Sequence, residues 1–163
     1  YYGVETGDDE LRKNINKGSD AKTCIEMGRK VIEAGIKLSV TVLLGIAGRT
    51  GSMKHARATG ELLSAMDPHF IGALTVMLIP GTPLYEDFVN KKFELPDERE
   101  LLIELREMIR HTHLTRGLFY SNHASNYLPV KARLPNGKEE ALALIDRALK
   151  GEVGLRPEWM RAL

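Results

Sequence analysis

One cysteine in 163 residues leaves Cys24 nothing to pair with inside the chain, so a disulfide framework is excluded and a reducing, cytoplasmic setting is expected. Excess charge of either sign is missing too. With 23 basic against 22 acidic residues the net charge is +1, which offers no general attraction to nucleic acid or to an acidic membrane surface. The longest apolar run, Val42 to Ala47, falls far short of the roughly 20 residues that cross a bilayer. Neither helical histidine pairs nor a Gly-x-Ser-x-Gly elbow occur among His55, His69, His111, His113, His123 and their surroundings, so no metal site and no serine nucleophile are predicted. Cys24 itself falls on an apolar helix stripe and reads as a small buried hydrophobe.

What is present is ordinary globular composition, 43% hydrophobic and 28% charged, enough for one domain with its own core. Its centre is Lys37 to Gly48. Val40, Val42 and Leu44 share one strand face, and Ser39, Thr41 and Leu43 the other. Such a strand, ending in Gly45 and Gly48 ahead of a helical pattern from Ser52 to Met66, reads as a parallel strand that delivers polar groups to a site. Similar units flank it: Tyr1 to Glu5 runs into a loop and helix, and Phe70 to Ile79 into Pro80-Gly81-Thr82-Pro83. Taking Glu5, Thr41 and Met77 as equivalent strand ends gives two spacings of 36 residues, about the length of one βα unit. The expected fold is α/β: a partial TIM-type (β/α) barrel of about three parallel βα units over residues 1–95, then a helical C-terminal extension over 96–163. On the third strand the small and polar set Ile71, Ala73, Thr75 and Met77 suits the barrel interior.

The intervening segments follow helix rules. Asp8 can cap a short helix carrying Leu11 and Ile15, and Ser19 or Asp20 a second one with the stripe Ala21, Cys24, Ile25, Gly28, Val31 and Ile32, stopped by Gly35. A long helix from about Asp97 to His113 buries Leu101, Leu102, Leu105, Met108 and Ile109. A last one, about Lys138 to Lys150, buries Ala141, Leu142, Ile145 and Leu149. Between them, Ser121 to Tyr127 holds six hydrogen-bonding side chains in seven positions. It reads either as a structural loop or as a ligand-contacting one through Asn122, His123, Asn126 and Tyr127. Gly45 to Gly51 is likewise either a tight βα turn or a backbone cradle ahead of a helix N-terminus. The tail to Leu163 is basic and expected to be exposed.

Three motifs resemble a known family. Gly3-Val4-Glu5-Thr6-Gly7-Asp8-Asp9-Glu10-Leu11, closing on Ile15-Asn16-Lys17-Gly18, looks like the fourth-strand segment of radical S-adenosylmethionine enzymes. Thr41 to Gly48 resembles their fifth strand and turn, and Met77 to Tyr85 their sixth strand with its Pro-Gly-Thr-Pro exit. The tail is similar to the oxygen-independent coproporphyrinogen III oxidase-like, Fe-S oxidoreductase branch. The resemblance implies an S-adenosylmethionine site formed by Glu5, Lys17, Thr41, Gly45, Met77 and Ile79, and a [4Fe-4S] cluster. The cluster's three-cysteine motif is absent from this sequence. It implies, further, a parent enzyme that cleaves the cofactor to a 5′-deoxyadenosyl radical and abstracts hydrogen from a small-molecule substrate.

Because the sequence starts without methionine inside a strand, it is expected to be a fragment. Its partners would be the N-terminal part of a parent barrel, or a second copy through the edge strand Tyr1 to Glu5. Two other readings stand beside this one: another TIM-barrel enzyme that binds a phosphate group at Gly45 to Gly51, or a non-catalytic module whose helices Asp97–His113 and Lys138–Lys150 dock a partner.

Overall fold

In the computed structural model, which describes residues 1–162, five strands form one sheet in chain order: β1 (Tyr2–Glu5), β2 (Ser39–Leu44), β3 (Phe70–Thr75), β4 (Gly117–Ser121) and β5 (Val130–Leu134). β1 to β4 run parallel and β5 returns antiparallel to β4. The fold is thus a mixed α/β sheet. The C-terminal third, expected as helices alone, adds the fourth parallel strand and the antiparallel fifth to it.

Parallel neighbours need crossovers, and these are α1 (Asp9–Asn14) and α2 (Ala21–Glu33), then α3 (Gly48–Met66), then α4 (Pro83–Val89) and α5 (Glu98–His111); α6 (Lys138–Leu149) follows β5. Right-handed crossovers between strands in sequential order bring the helices to one face of the sheet. Burial agrees. Val4, Val40, Val42, Ile71 and Phe119 are all within 1% of complete burial on the helix side. Residues of the opposite parity, such as Thr41, Gly72 and Leu74, are only half-buried. For β3 this reverses the expected faces: Ile71, Ala73 and Thr75 go to the helix-side core, because the residues beside them in register, Val40, Val42 and Leu44, already face α3 and α5.

Local chemistry sets the helix starts. The Asp20 carboxylate accepts the Thr23 N–H at 2.7 Å, and Asp97 and Glu100 form a reciprocal capping box. α3 starts at Gly48, four residues earlier than the periodicity of Ser52 to Met66 suggests. α3 and α5 cross closely at Gly60, where a β-carbon would lie 2.8 Å from the Met108 carbonyl. α5 and α6 are tied by a two-bond Arg106–Asp146 pair at 2.6 and 3.1 Å, so the apolar stripes of both helices face the core.

No described helix is long and apolar enough to cross a membrane. β1 is an edge strand, and no described strand pairs with its outer side.

Candidate functional site

The uncovered sheet face begins at β1. There Glu5 has φ +61°, a left-handed backbone that a residue with a β-carbon adopts at a cost, and the register with β2 slips between Gly3 and Glu5. The bulge turns the Glu5 side chain back over Gly3. A β-carbon on Gly3 would stand 2.5 Å from Glu5 Oε1 and 3.5 Å from Lys17 Nζ, and the two charged groups themselves are 3.3 Å apart. Gly3 is the register partner of Thr41, and Thr41 is in turn the partner of Gly72. Thr41 therefore stands between two positions without side chains, beside a carboxylate and an ammonium. Of the six residues expected to hold a cofactor, Glu5, Lys17 and Thr41 are brought together here.

Across β3 and β4 the same face carries a cavity of about 780 Å³ whose lining includes Ser39, Gly72, Leu74, Tyr120, Asn122 and His123. Asn122 and His123 are exposed at its rim, and His123 Nδ1 accepts the Ser125 N–H at 3.2 Å. The other two residues expected from this loop do different work. Asn126 is buried, accepts from the Thr75 hydroxyl at 2.8 Å and donates to the Ala73 carbonyl at 2.8 Å, so it ties the loop to β3. Tyr127 donates to Glu158 at 2.5 Å and lies under the Arg161 guanidinium, 4.1 Å from ring centroid to cation. The basic tail is not free: Arg156 donates to the carbonyls of His123, Ala124 and Asn126, and Arg161 to that of Ser125.

The other three residues expected at the cofactor lie elsewhere. The Gly45 N–H points to the helix side and donates to Glu104 Oε1 at 2.7 Å. Met77 and Ile79 come after β3 has ended at Thr75, and the Ile79 carbonyl accepts both the N–H and the hydroxyl of Thr82. In the Gly45 to Gly51 turn, the Gly48 N–H is taken by the Gly45 carbonyl and that of Arg49 by the Glu94 carbonyl. An internal carboxylate, Glu104, already occupies the place where a bound anion would be sought.

Glu104 belongs to a buried polar group that the sequence reading passes over. Its second oxygen bonds the Ser52 hydroxyl, and its first lies 3.5 Å from His55 Nε2. His55 Nε2 faces the Leu43 carbonyl at 3.0 Å, which can only accept, so Nε2 carries the proton and Nδ1 accepts from the Thr6 hydroxyl at 2.8 Å. Burial pushes the Glu104 carboxyl up to about 7 and the His55 imidazole down to about 4. Arg12, 1% exposed, completes this layer by donating to the carbonyls of Val4, Thr6 and Ser19. The signal was present in the spacing: Ser52, His55 and Thr59 lie in line with Leu62, Leu63 and Met66, and Glu104 stands between Leu101 and Met108 on the buried stripe of α5.

No family model matches this chain. It is similar to an uncharacterized protein of Methanocaldococcus jannaschii, 23% identical over 109 residues that make up 67% of this chain and 33% of that protein. The match thus spans about a third of the length of the relative. These findings correct the resemblance to radical S-adenosylmethionine, Fe-S oxidoreductases of the coproporphyrinogen oxidase-like branch: no model of any family is matched, and the relative carries no such description. The described residues contain no group of three or more His, Cys, Asp or Glu placed to hold a metal ion, and Cys24 is buried by itself in α2. Nothing in the donor chemistry of this chain calls for an iron–sulfur cluster.

Proposed function

We propose that this chain is the small-molecule-binding portion of a (β/α)-barrel-type enzyme, with its ligand lying on the uncovered face of the parallel sheet. One observation carries the reading. The long helices α2, α3, α5 and α6 pack together over one face of the sheet, and the other face holds a cavity of about 780 Å³. Four parallel strands in sequential order, β1 to β4, with their crossover helices, support reading this sheet as part of a barrel wall, to which the antiparallel β5 is an addition. Thr41 would donate or accept at the ligand's centre, with Glu5 and Lys17 as charged groups on the β1 side and Asn122 and His123 on the β4 side. The bulge at Glu5 supports this, because a left-handed glutamate that reaches over the sheet is a local cost with no packing gain on the helix side.

The test is a thermal-shift screen of the chain against charged metabolites, with each hit repeated on Glu5→Gln and Thr41→Val. Hits whose stabilisation disappears in both variants are expected. Hits that both variants retain would place the ligand elsewhere and end this reading.

A further inference from the structure

At the N-terminal end of the same sheet a second cavity, about 610 Å³, is lined by Lys37, Asp67, His69, Phe70, Arg116 and Arg133, among others. Its arginines are unlike the rest. Of the twelve arginines in the chain, ten donate to a carbonyl or a carboxylate or stand within ion-pair distance of one. Arg116 and Arg133 are the two that do neither among the described residues, and both open onto this cavity. Lys37 has no carboxylate partner either. The planar N–H forks of the two arginines are therefore free to meet a planar or tetrahedral oxyanion two bonds at a time.

The topology places the three cations around one apolar floor. Phe70 on β3 pairs in register with Leu118 on β4, and Leu118 with Arg133 on β5; Arg116 precedes Leu118 by two residues and Lys37 precedes Ser39, the other partner of Phe70. Phe70 is 37% exposed there. His69 Nδ1 accepts the Leu38 N–H at 3.3 Å, which leaves Nε2–H as a further donor. One carboxylate, Asp67, also lines the cavity. Its oxygens take the Thr115 N–H at 3.0 Å and the Thr115 hydroxyl, and against three cations its charge leaves the site at a net +2.

We infer that this cavity binds the phosphate group of a small phosphomonoester, with Arg116 and Arg133 as its bidentate donors, Lys37 as the third cation, and the ester's apolar body against Phe70 and Leu118. Parallel sheets ordinarily receive ligands at their C-terminal edge. The charge pattern, not the fold, points to this end. Lys37 and Phe70 border both this cavity and the one on the sheet face, whereas Arg116 and Arg133 line this one and not the other, so a result on the two arginines is separable from the function proposed above.

The experiment follows the Arg Nε–H resonances of the 15N-labelled chain at constant ionic strength, with inorganic phosphate and then phenyl phosphate as probes. Expected are saturable shifts of Arg116 and Arg133, tighter for phenyl phosphate than for phosphate, and a loss of affinity of about tenfold in each of Arg116→Gln and Arg133→Gln. Arg147→Gln, on a remote face, should leave affinity unchanged. Both variants replace exposed side chains, and an unchanged amide spectrum shows that they fold. Absence of saturation, or saturation that survives the double variant, would overturn the assignment. Equal affinity for the two probes would overturn the role given to Phe70 and Leu118.

Discussion

On the helix side of the sheet, beneath the ends of β1 and β2, one buried polar cluster is internally paired: Arg12 reaches three carbonyls, and Glu104, Ser52, His55 and the threonines 6 and 59 bond one another or nearby backbone out of contact with water. On the opposite face the reverse holds. Among the described residues Lys37, Arg116 and Arg133 have no side-chain hydrogen bond or ion pair, and Thr41 stands in a gap between two glycines. A buried polar group without a partner costs stability, whereas one left idle at the surface costs almost nothing and is available to a ligand. The first region holds the turns in place, and the second is where binding can occur.

Substitutions should separate the two regions by size of effect. Arg12→Met withdraws donors from the carbonyls of Val4, Thr6 and Ser19 and should lower stability by about 4 kcal/mol in urea unfolding. A loss under about 1 kcal/mol would mean that water replaces it and that the layer is not closed.

Next come opposed pH slopes. Glu104, raised to about 7, stabilises the fold below the ordinary carboxyl range and loses that contribution as pH rises to 7; His55, lowered to about 4, stabilises above the ordinary imidazole range and loses that contribution as pH falls towards 4. Each is worth about 3 kcal/mol across that window, and in the native chain they largely cancel. Glu104→Gln should therefore leave a chain that weakens from pH 7 down to 4.5, and His55→Gln one that strengthens over the same range. Equal slopes in the two variants would show that the groups titrate as an ion pair.

Smaller effects belong to the open face. Glu5→Gly should raise stability by about 1 kcal/mol by relieving the left-handed backbone, measured by thermal unfolding, while removing a ligand contact. Thr41→Val and Arg133→Gln should each stay within about 0.5 kcal/mol of the parent chain. A larger loss from either would move that residue to the structural side of the comparison.

Much of this division was legible in the sequence. The alternation in Ser39 to Leu44 gave the two faces of β2, but the equal spacing of Glu5, Thr41 and Met77 did not mark equivalent strand ends: Thr41 lies mid-strand beside Gly3 and Gly72, and Met77 follows the end of β3. The bulge that folds Glu5 over Gly3 was not readable, because it depends on backbone geometry rather than on residue type. β4 was passed over because Gly117 to Ser121 is short and runs into a polar loop, although Val130 to Leu134 alternates strictly and could have declared β5. The idle arginines were invisible for a different reason. A sequence shows how many charges there are, but which of them lack partners is decided only once the strands are side by side.

The strap formed by Arg156 and Arg161 makes the loop around His123 depend on residues about thirty positions downstream, and between those two arginines stands the chain's one tryptophan, Trp159, 82% exposed. Its neighbour Glu158 receives the Tyr127 hydroxyl, so any repositioning of the loop by an occupant of the sheet face is passed to the indole's surroundings. The molecule thus carries its own optical gauge. If the loop moves when the face is filled, the expected sign is a small change in tryptophan emission, with no label added.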